Sequence, residues 1–289
     1  MLRTLILALA ALFAAAAHVQ AHAQAVDGRL KKILDSKSIS IAYRADAMPF
    51  SFEEANKEVA GFSVDICKAV VKSLERQFKV QGNLAIKWVP VSTQTRFEAV
   101  ARGQADMECS ASTVTLSRLR EVDFSSFIFV ESTGVVVRTV SNARQFSDLG
   151  GKRIAVVAGT TNERAVNEQL KRRGLTATVM PFKTREEGFA AVEDGKADAF
   201  ASDKLLLVGA SMKARQPGSV IMLVDDLSFE PYGIALPRGD ANFRLAVNTA
   251  LAQLFPTDEM GQIFGRWFGS FGRPTGLIEA VYVFGSIPE

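Results

Sequence analysis

Phe97-Glu98-Ala99-Val100-Ala101-Arg102-Gly103-Gln104-Ala105-Asp106 is matched 92 residues later by Phe189-Ala190-Ala191-Val192-Glu193-Asp194-Gly195-Lys196-Ala197-Asp198. Each copy reads as the end of a helix, a Gly that caps it, and the start of a strand. A unit that occurs twice at so long a spacing implies two similar α/β lobes rather than a solenoid. The same alternation extends outward from both copies. Residues 39–43, 85–91 and 105–109 read as strands in the first half, with helical patterns at 64–78 and 96–101. In the second half 153–157, 177–182 and 197–202 read as strands, and 162–173 and 185–192 as helices. This order implies crossover connections and mainly parallel sheets flanked by helices. The helix at 64–78 places Ile66, Val70, Leu74 and Phe78 at four-residue steps, with Ser63 as its expected N-cap and Asp65 in its first turn. Residues 153–157 form a continuous apolar, branched run after Arg153, as in a strand covered on both faces.

Two polar breaks divide the alternation: Glu131-Ser132-Thr133-Gly134, and Phe229-Glu230-Pro231-Tyr232-Gly233. They predict a first lobe from 24–133 and 232–289, with residues 134–231 inserted as the second lobe. Two crossing strands between lobes form a hinge that can close over a ligand. The tail after Gly269 carries an apolar stretch at 278–284 and reads as a strap on the first lobe.

The N-terminus has a different character. Arg3 precedes an apolar run at 5–17, and Ala21-His22-Ala23 offers small residues around a cut, so residues 1–23 read as a secretory signal peptide cleaved near Ala23/Gln24. The run is too short to span a bilayer, and no later stretch approaches the roughly 20 apolar residues that spanning needs. The first Cys is Cys67, which leaves no thiol near the cut for lipid attachment. A soluble, free, monomeric periplasmic protein is expected.

Arg3 is the sole charged side chain in residues 1–23, so the mature chain holds 33 Lys+Arg against 31 Asp+Glu. That balance gives no indication of nucleic acid, and Lys171-Arg172-Arg173 falls where a helix ends, as dipole partners do. Both histidines, His18 and His22, precede the cut. A Ser-His-Asp triad, a Cys-His pair, a His-ligated metal and a His base are thereby excluded. Cys67 and Cys109 are either one disulfide, as secretion favours, or two small buried hydrophobes.

Several polar groups fall where strands end, the place where open α/β sheets bind ligands. Arg44 ends 39–43, Arg96 follows Ser92-Thr93-Gln94-Thr95, and Arg118 follows Ser110-Ala111-Ser112-Thr113. Three guanidinium groups in one lobe suit a carboxylate ligand. In the second lobe, Ala158-Gly159-Thr160-Thr161 leads into a helix and reads either as an anion site or as ordinary Thr capping. The absence of Gly-x-Gly-x-x-Gly and Walker A patterns gives no nucleotide cofactor, and no metal site is indicated. Asp203 begins an apolar helix. It serves as an N-cap or, facing arginines, as the partner of an ammonium group.

Arg44-Ala45-Asp46-Ala47-Met48-Pro49-Phe50-Ser51-Phe52, Gly61-Phe62-Ser63-Val64-Asp65, Asp106-Met107-Glu108-Cys109, Ala158-Gly159-Thr160-Thr161 and Tyr232-Gly233-Ile234-Ala235 together resemble the family 3 extracellular solute-binding proteins of amino-acid ABC transporters. The resemblance runs from about Val26 to Gly269 and is strongest to periplasmic glutamate/aspartate-binding proteins. It implies a type II two-lobed periplasmic binding protein that captures L-glutamate or L-aspartate and delivers it to an inner-membrane permease. It further implies that Arg118 binds the α-carboxylate, helped by Thr113, Thr160 and Thr161, and that Asp203 holds the ammonium. Arg44, Arg96 and Thr93 then hold the side-chain carboxylate. Two positions depart from the pattern: Ala111 where those relatives have Ser, and Arg185 where they have a ligand-binding His. The competing expectation is a lyase on the same fold, resembling cyclohexadienyl dehydratase, with Glu108 as its acid-base group.

Overall fold

The computed structural model describes residues 26–288; the signal peptide and its cut lie outside them. The chain opens with α1 (Gly28–Ser36), then β1 (Ser38–Arg44), β2 (Asp46–Ala47), β3 (Ser51–Glu53), β4 (Val59–Ala60), α2 (Phe62–Gln77), β5 (Ala85–Val91), α3 (Arg96–Ala101) and β6 (Met107–Glu108). A long strand β7 (Asp123–Glu131) leaves this half and runs after one residue into β8 (Thr133–Arg138). There follow β9 (Arg153–Val157), α4 (Thr161–Arg172), β10 (Thr178–Phe182), α5 (Arg185–Glu193), β11 (Ala199–Asp203), α6 (Lys204–Met212) and β12 (Val220–Met222). The chain returns through β13 (Glu230–Leu236) and ends in α7 (Ala241–Leu254), α8 (Asp258–Phe268) and α9 (Gly276–Gly285).

Two five-stranded sheets result, ordered β5-β1-β6-β13-β7 and β10-β9-β11-β8-β12. The orders are equivalent. In each, three parallel strands carry the αβ units, and the fourth position is an antiparallel strand that begins at the crossing between lobes. β13 pairs with β7 from Glu230↔Glu131 onward, so the two crossing strands run side by side up to the junction. The second sheet is covered on both faces by separate apolar clusters, one around Phe146, Ile154 and Val166 and one around Ala155, Phe189 and Phe200. This is the physical reason for the unbroken apolar run in β9.

Behind the crossing, Phe50, Phe62, Phe129, Tyr232 and Phe268 pack ring against ring, with centroids 4.9 to 6.3 Å apart. α2 buries Ile66, Val70 and Leu74 as its periodicity predicts, but its N-cap is Gly61, not Ser63. Gly61 has φ 135°, and a Cβ there would sit 2.3 Å from the Phe50 carbonyl oxygen. Close chain approach therefore places the helix start, and Ser63 instead donates from Oγ to Ser110 O at 2.9 Å. Cys67 in α2 and Cys109 after β6 form a disulfide. The tail packs on the first lobe as a helical strap: α9 buries Ile278 and stacks Tyr282 on Phe255, with centroids 5.2 Å apart.

Candidate functional site

Arg44 terminates β1, where Ser51 Oγ accepts its backbone N–H and donates to its carbonyl, both at 3.0 Å. Its guanidinium is buried and binds the Asp46 carboxylate in a bidentate pair, Nε to Oδ1 at 2.9 Å and Nη2 to Oδ2 at 2.7 Å. Arg96 opens α3 only 3% exposed, donating from Nε to Ser112 Oγ at 3.0 Å and from Nη1 to Thr93 O. Arg118 opens a 3₁₀ turn and donates from Nη1 to Thr113 O at 2.7 Å. The guanidinium carbons of Arg96 and Arg118 lie 4.3 and 5.0 Å from the centre of the Phe97 ring, within cation–π range. Among the described residues neither makes a salt bridge. Burial, then repulsion from Arg118 and Arg44, lowers the Arg96 pKa to about 9. Burial also lowers that of Arg118, with Glu230, Asp203 and Glu108 opposing it. Burial is the main cause of both shifts.

From the second lobe, Thr160 caps α4: its Oγ1 accepts the Glu163 N–H at 3.2 Å and donates to Val157 O at 2.7 Å. Its hydroxyl is thus committed to the local fold. Thr161 Oγ1 meets Thr113 Oγ1 of the first lobe at 3.4 Å. Asp203 occupies the N-cap position of α6 without making a capping hydrogen bond, so capping does not account for it. It is buried, and Oδ1 accepts from Asn162 Nδ2 at 2.9 Å. Burial and the charge of Glu230 raise its pKa, against the Asn162 hydrogen bond and the charge of Arg185. Arg185, 6% exposed, follows a Thr184–Glu187 capping box and reaches across the cleft, with Nη1 2.8 Å from Asp46 O and 3.3 Å from Asp46 Oδ2.

The structure brings Arg44, Arg96, Arg118, Arg185 and Asp203 into one mutually interacting group. Thr93 and Thr113 border it through their carbonyls, and Ala111 is buried between Ser110 and Ser112 without adding a polar side chain. The sequence reading passed over four participants: Asp46, Ser112, Asn162 and Glu230. Glu230 accepts from Thr113 Oγ1 at 2.6 Å and Ser228 Oγ at 2.6 Å. Glu108 accepts from Ser110 through Oε1, and among the described residues its other oxygen is buried without a partner. Such orphaned groups beside a cleft are places for ligand or water. No cluster of His, Cys, Asp and Glu suited to a metal occurs among the described residues, and no helix there is long and apolar enough to cross a membrane.

Two lobes joined by paired strands, with charged side chains of both brought together between them, have the form of a small-solute-binding protein. The chain belongs to the bacterial extracellular solute-binding proteins, family 3, whose model matches residues 39–270. It is 32% identical to an L-glutamate/L-aspartate-binding protein of Pseudomonas aeruginosa, over 88% of this chain and 84% of that one. It is 29% identical to a glutamate/aspartate import solute-binding protein of Salmonella typhimurium, over 92% and 88%. Among solved structures it resembles an ancestral amino acid-binding protein, a precursor of cyclohexadienyl dehydratase, with a TM-score of 0.73, 27% identity and coverage of 83% of this chain and all of that one.

Proposed function

We propose that this protein is a periplasmic substrate-binding protein that captures an acidic L-amino acid, glutamate or aspartate, and delivers it to an ABC transporter permease. The observation that carries the reading is the pair of buried Arg96 and half-buried Arg118, neither in a salt bridge among the described residues, with the buried Asp203 in the same cluster. Arg118 takes the α-carboxylate with the Thr113 backbone and the N–H groups of Thr160 and Thr161, where a helix N-terminus favours an anion. Asp203 takes the ammonium. Arg96 and Thr93 face the side-chain carboxylate, with Arg44, Ala111 and Arg185 lining the same end. The names of the two curated relatives support this choice of ligand.

Residues 134–231 act as a unit that closes on 24–133 and 232–289. The contacts between the lobes are those a ligand stabilises when it favours the closed form: Arg185 to Asp46, Thr113 to Thr161, and Gln94 Nε2 to Lys183 O at 3.2 Å. The names of the relatives favour binding over catalysis. A neutral ligand would leave a buried guanidinium uncompensated, at a cost of about 2–5 kcal/mol. The test is calorimetric titration of unfolded and refolded mature protein with L-glutamate, L-aspartate, L-glutamine and L-arginine. Micromolar or tighter binding of an acidic ligand is expected. A neutral or cationic amino acid outcompeting both acids would refute the assignment.

A further inference from the structure

Asp46 lies two residues beyond Arg44, in β2, and has no part in the roles assigned above. Its carboxylate takes Nε and Nη2 of Arg44 at 2.9 and 2.7 Å and Nη1 of Arg185 at 3.3 Å, while its carbonyl oxygen accepts the same Nη1 at 2.8 Å. One side chain thus holds an arginine from each lobe. Burial works against its ionisation, but the charges of Arg44 and Arg185 outweigh burial and keep its carboxyl below the ordinary aspartate value.

We propose that Asp46 sets the length of the ligand: by occupying Arg44 and Arg185 from within the chain, it closes the far end of the pocket and makes the site select aspartate over glutamate. The inference rests on the acidic-amino-acid reading above and deepens it. Of the four arginines in the cluster, Arg44 and Arg185 are paired to Asp46, whereas Arg96 and Arg118 make no salt bridge among the described residues. The unpaired two, Arg96 and Arg118, lie close together against the single ring of Phe97. A dicarboxylate with a short span neutralises such a pair. One with an additional methylene brings its distal carboxylate towards the end that Asp46 occupies, where both guanidinium groups are already taken. The cavity at the seam between the lobes, about 180 Å³, is lined by Asp46, Arg185, Met48 and Lys213 but by none of Arg44, Arg96, Arg118 or Asp203. The Asp46–Arg185 bridge therefore stands as the end wall between that seam and the arginine cluster. Discrimination over one methylene is worth about 10–200-fold.

The experiment is paired titration of L-aspartate and L-glutamate into the mature protein and its Asp46→Ser and Asp46→Asn variants. Wild type should favour aspartate by about tenfold or more, and Asp46→Ser should move the ratio at least about tenfold towards glutamate by removing both charge and bulk. Asp46→Asn keeps the shape while removing the charge, and should move the ratio the same way. It decides the matter if the Ser variant does not fold. A purely structural latch would weaken both ligands alike, so an unchanged ratio in the variants overturns the inference, as does a wild type that favours glutamate. Wild type that binds neither acid overturns the functional proposal and this inference with it.

Discussion

The two lobes are built on one joint and differ in what surrounds it. In the first, Gly103 at φ 73° donates to Val100 O at 3.0 Å, Ala105 to Ala99 O at 3.0 Å, and Asp106 to Ser40 O at 2.7 Å. In the second, Gly195 at φ 72° donates to Val192 O at 3.1 Å, Ala197 to Ala191 O at 2.9 Å, and Asp198 to Arg153 O at 2.8 Å. Both aspartates also accept back from the same neighbour, Asp106 Oδ2 from Ser40 N and Asp198 Oδ2 from Arg153 N, and both pair with an arginine. The repeat is therefore a device that fastens a helix and the third strand to the first. The candidate ligand residues lie in the flanks, where the correspondence fails. Before the joint stand Thr93 and Arg96 in one lobe and Thr184 and Arg185 in the other. After it come the loop to Thr113 in one lobe and Asp203 in the other. The framework is duplicated, and the candidate binding groups lie at the strand ends it presents.

If function resides in the flanks, the largest effect belongs there. Arg118→Ala should weaken binding of the acidic ligand by about a hundredfold or more, because the ligand carboxylate loses its charged partner in a buried site. Calorimetry reads this directly, and a melting scan should show little change, since Arg118 makes no salt bridge among the described residues and its one side-chain hydrogen bond goes to Thr113 O. Loss of affinity under tenfold would move the α-carboxylate site elsewhere.

A second effect concerns the junction rather than either lobe. Glu131 ends β7 opposite Glu230, accepting from Ser132 N at 2.7 Å and Leu205 N at 3.0 Å. Burial, followed by the charge of Asp203, raises its pKa to about 7 from an ordinary 4.5. The folded protein therefore holds this proton more tightly than the unfolded chain does. Stability from this group is fullest below about pH 4.5, falls as pH rises to about 7, and is flat beyond. Glu131→Gln should abolish that decline, as measured by denaturant titration at pH 5 and pH 8, although its amide can keep only one of the two backbone N–H bonds that the carboxylate accepts. Equal pH dependence in the two proteins would remove Glu131 as its cause.

The joint was legible because its signals are local: a Gly with positive φ, apolar spacing, and an Asp a fixed distance further on. The arginines were legible for the same reason, each lying next to a strand that periodicity locates. Asp46 was not, although it lies two residues from Arg44, because its meaning depends on Arg185, whose side chain arrives from the other lobe. Asn162 likewise acquires its role only through Asp203. The third strand is shorter than the alternation implies, Met107–Glu108 rather than 105–109, because Ala105 and Asp106 are spent on the joint. Ser63 misled because capping preference is a local rule, whereas Gly61 is placed by contact with Phe50.

The smallest expected effect tests the equivalence itself. Gly103 and Gly195 are both left-handed, and a Cβ on either would meet the tip of an arginine: Arg29 Nη2 at 2.9 Å and Arg138 Nη1 at 3.0 Å. Gly103→Ala and Gly195→Ala should each cost about 1–2 kcal/mol for the left-handed backbone, since both guanidinium groups are flexible enough to give way. A difference can arise from what each arginine then releases. Arg29 is one of the cations on the buried Asp106 carboxylate, whereas Arg138 Nη1 donates to the Val192 carbonyl at 2.8 Å. Displacing Arg29 weakens a buried ion pair, so the Gly103 variant should be the less stable of the two by a few tenths of a kcal/mol up to about 1 kcal/mol. Denaturant melts of the two variants measure that gap. If the Gly195 variant proved the weaker, the joint in the second lobe would be the one under greater constraint, and the repeat would be equivalent in geometry but not in energy.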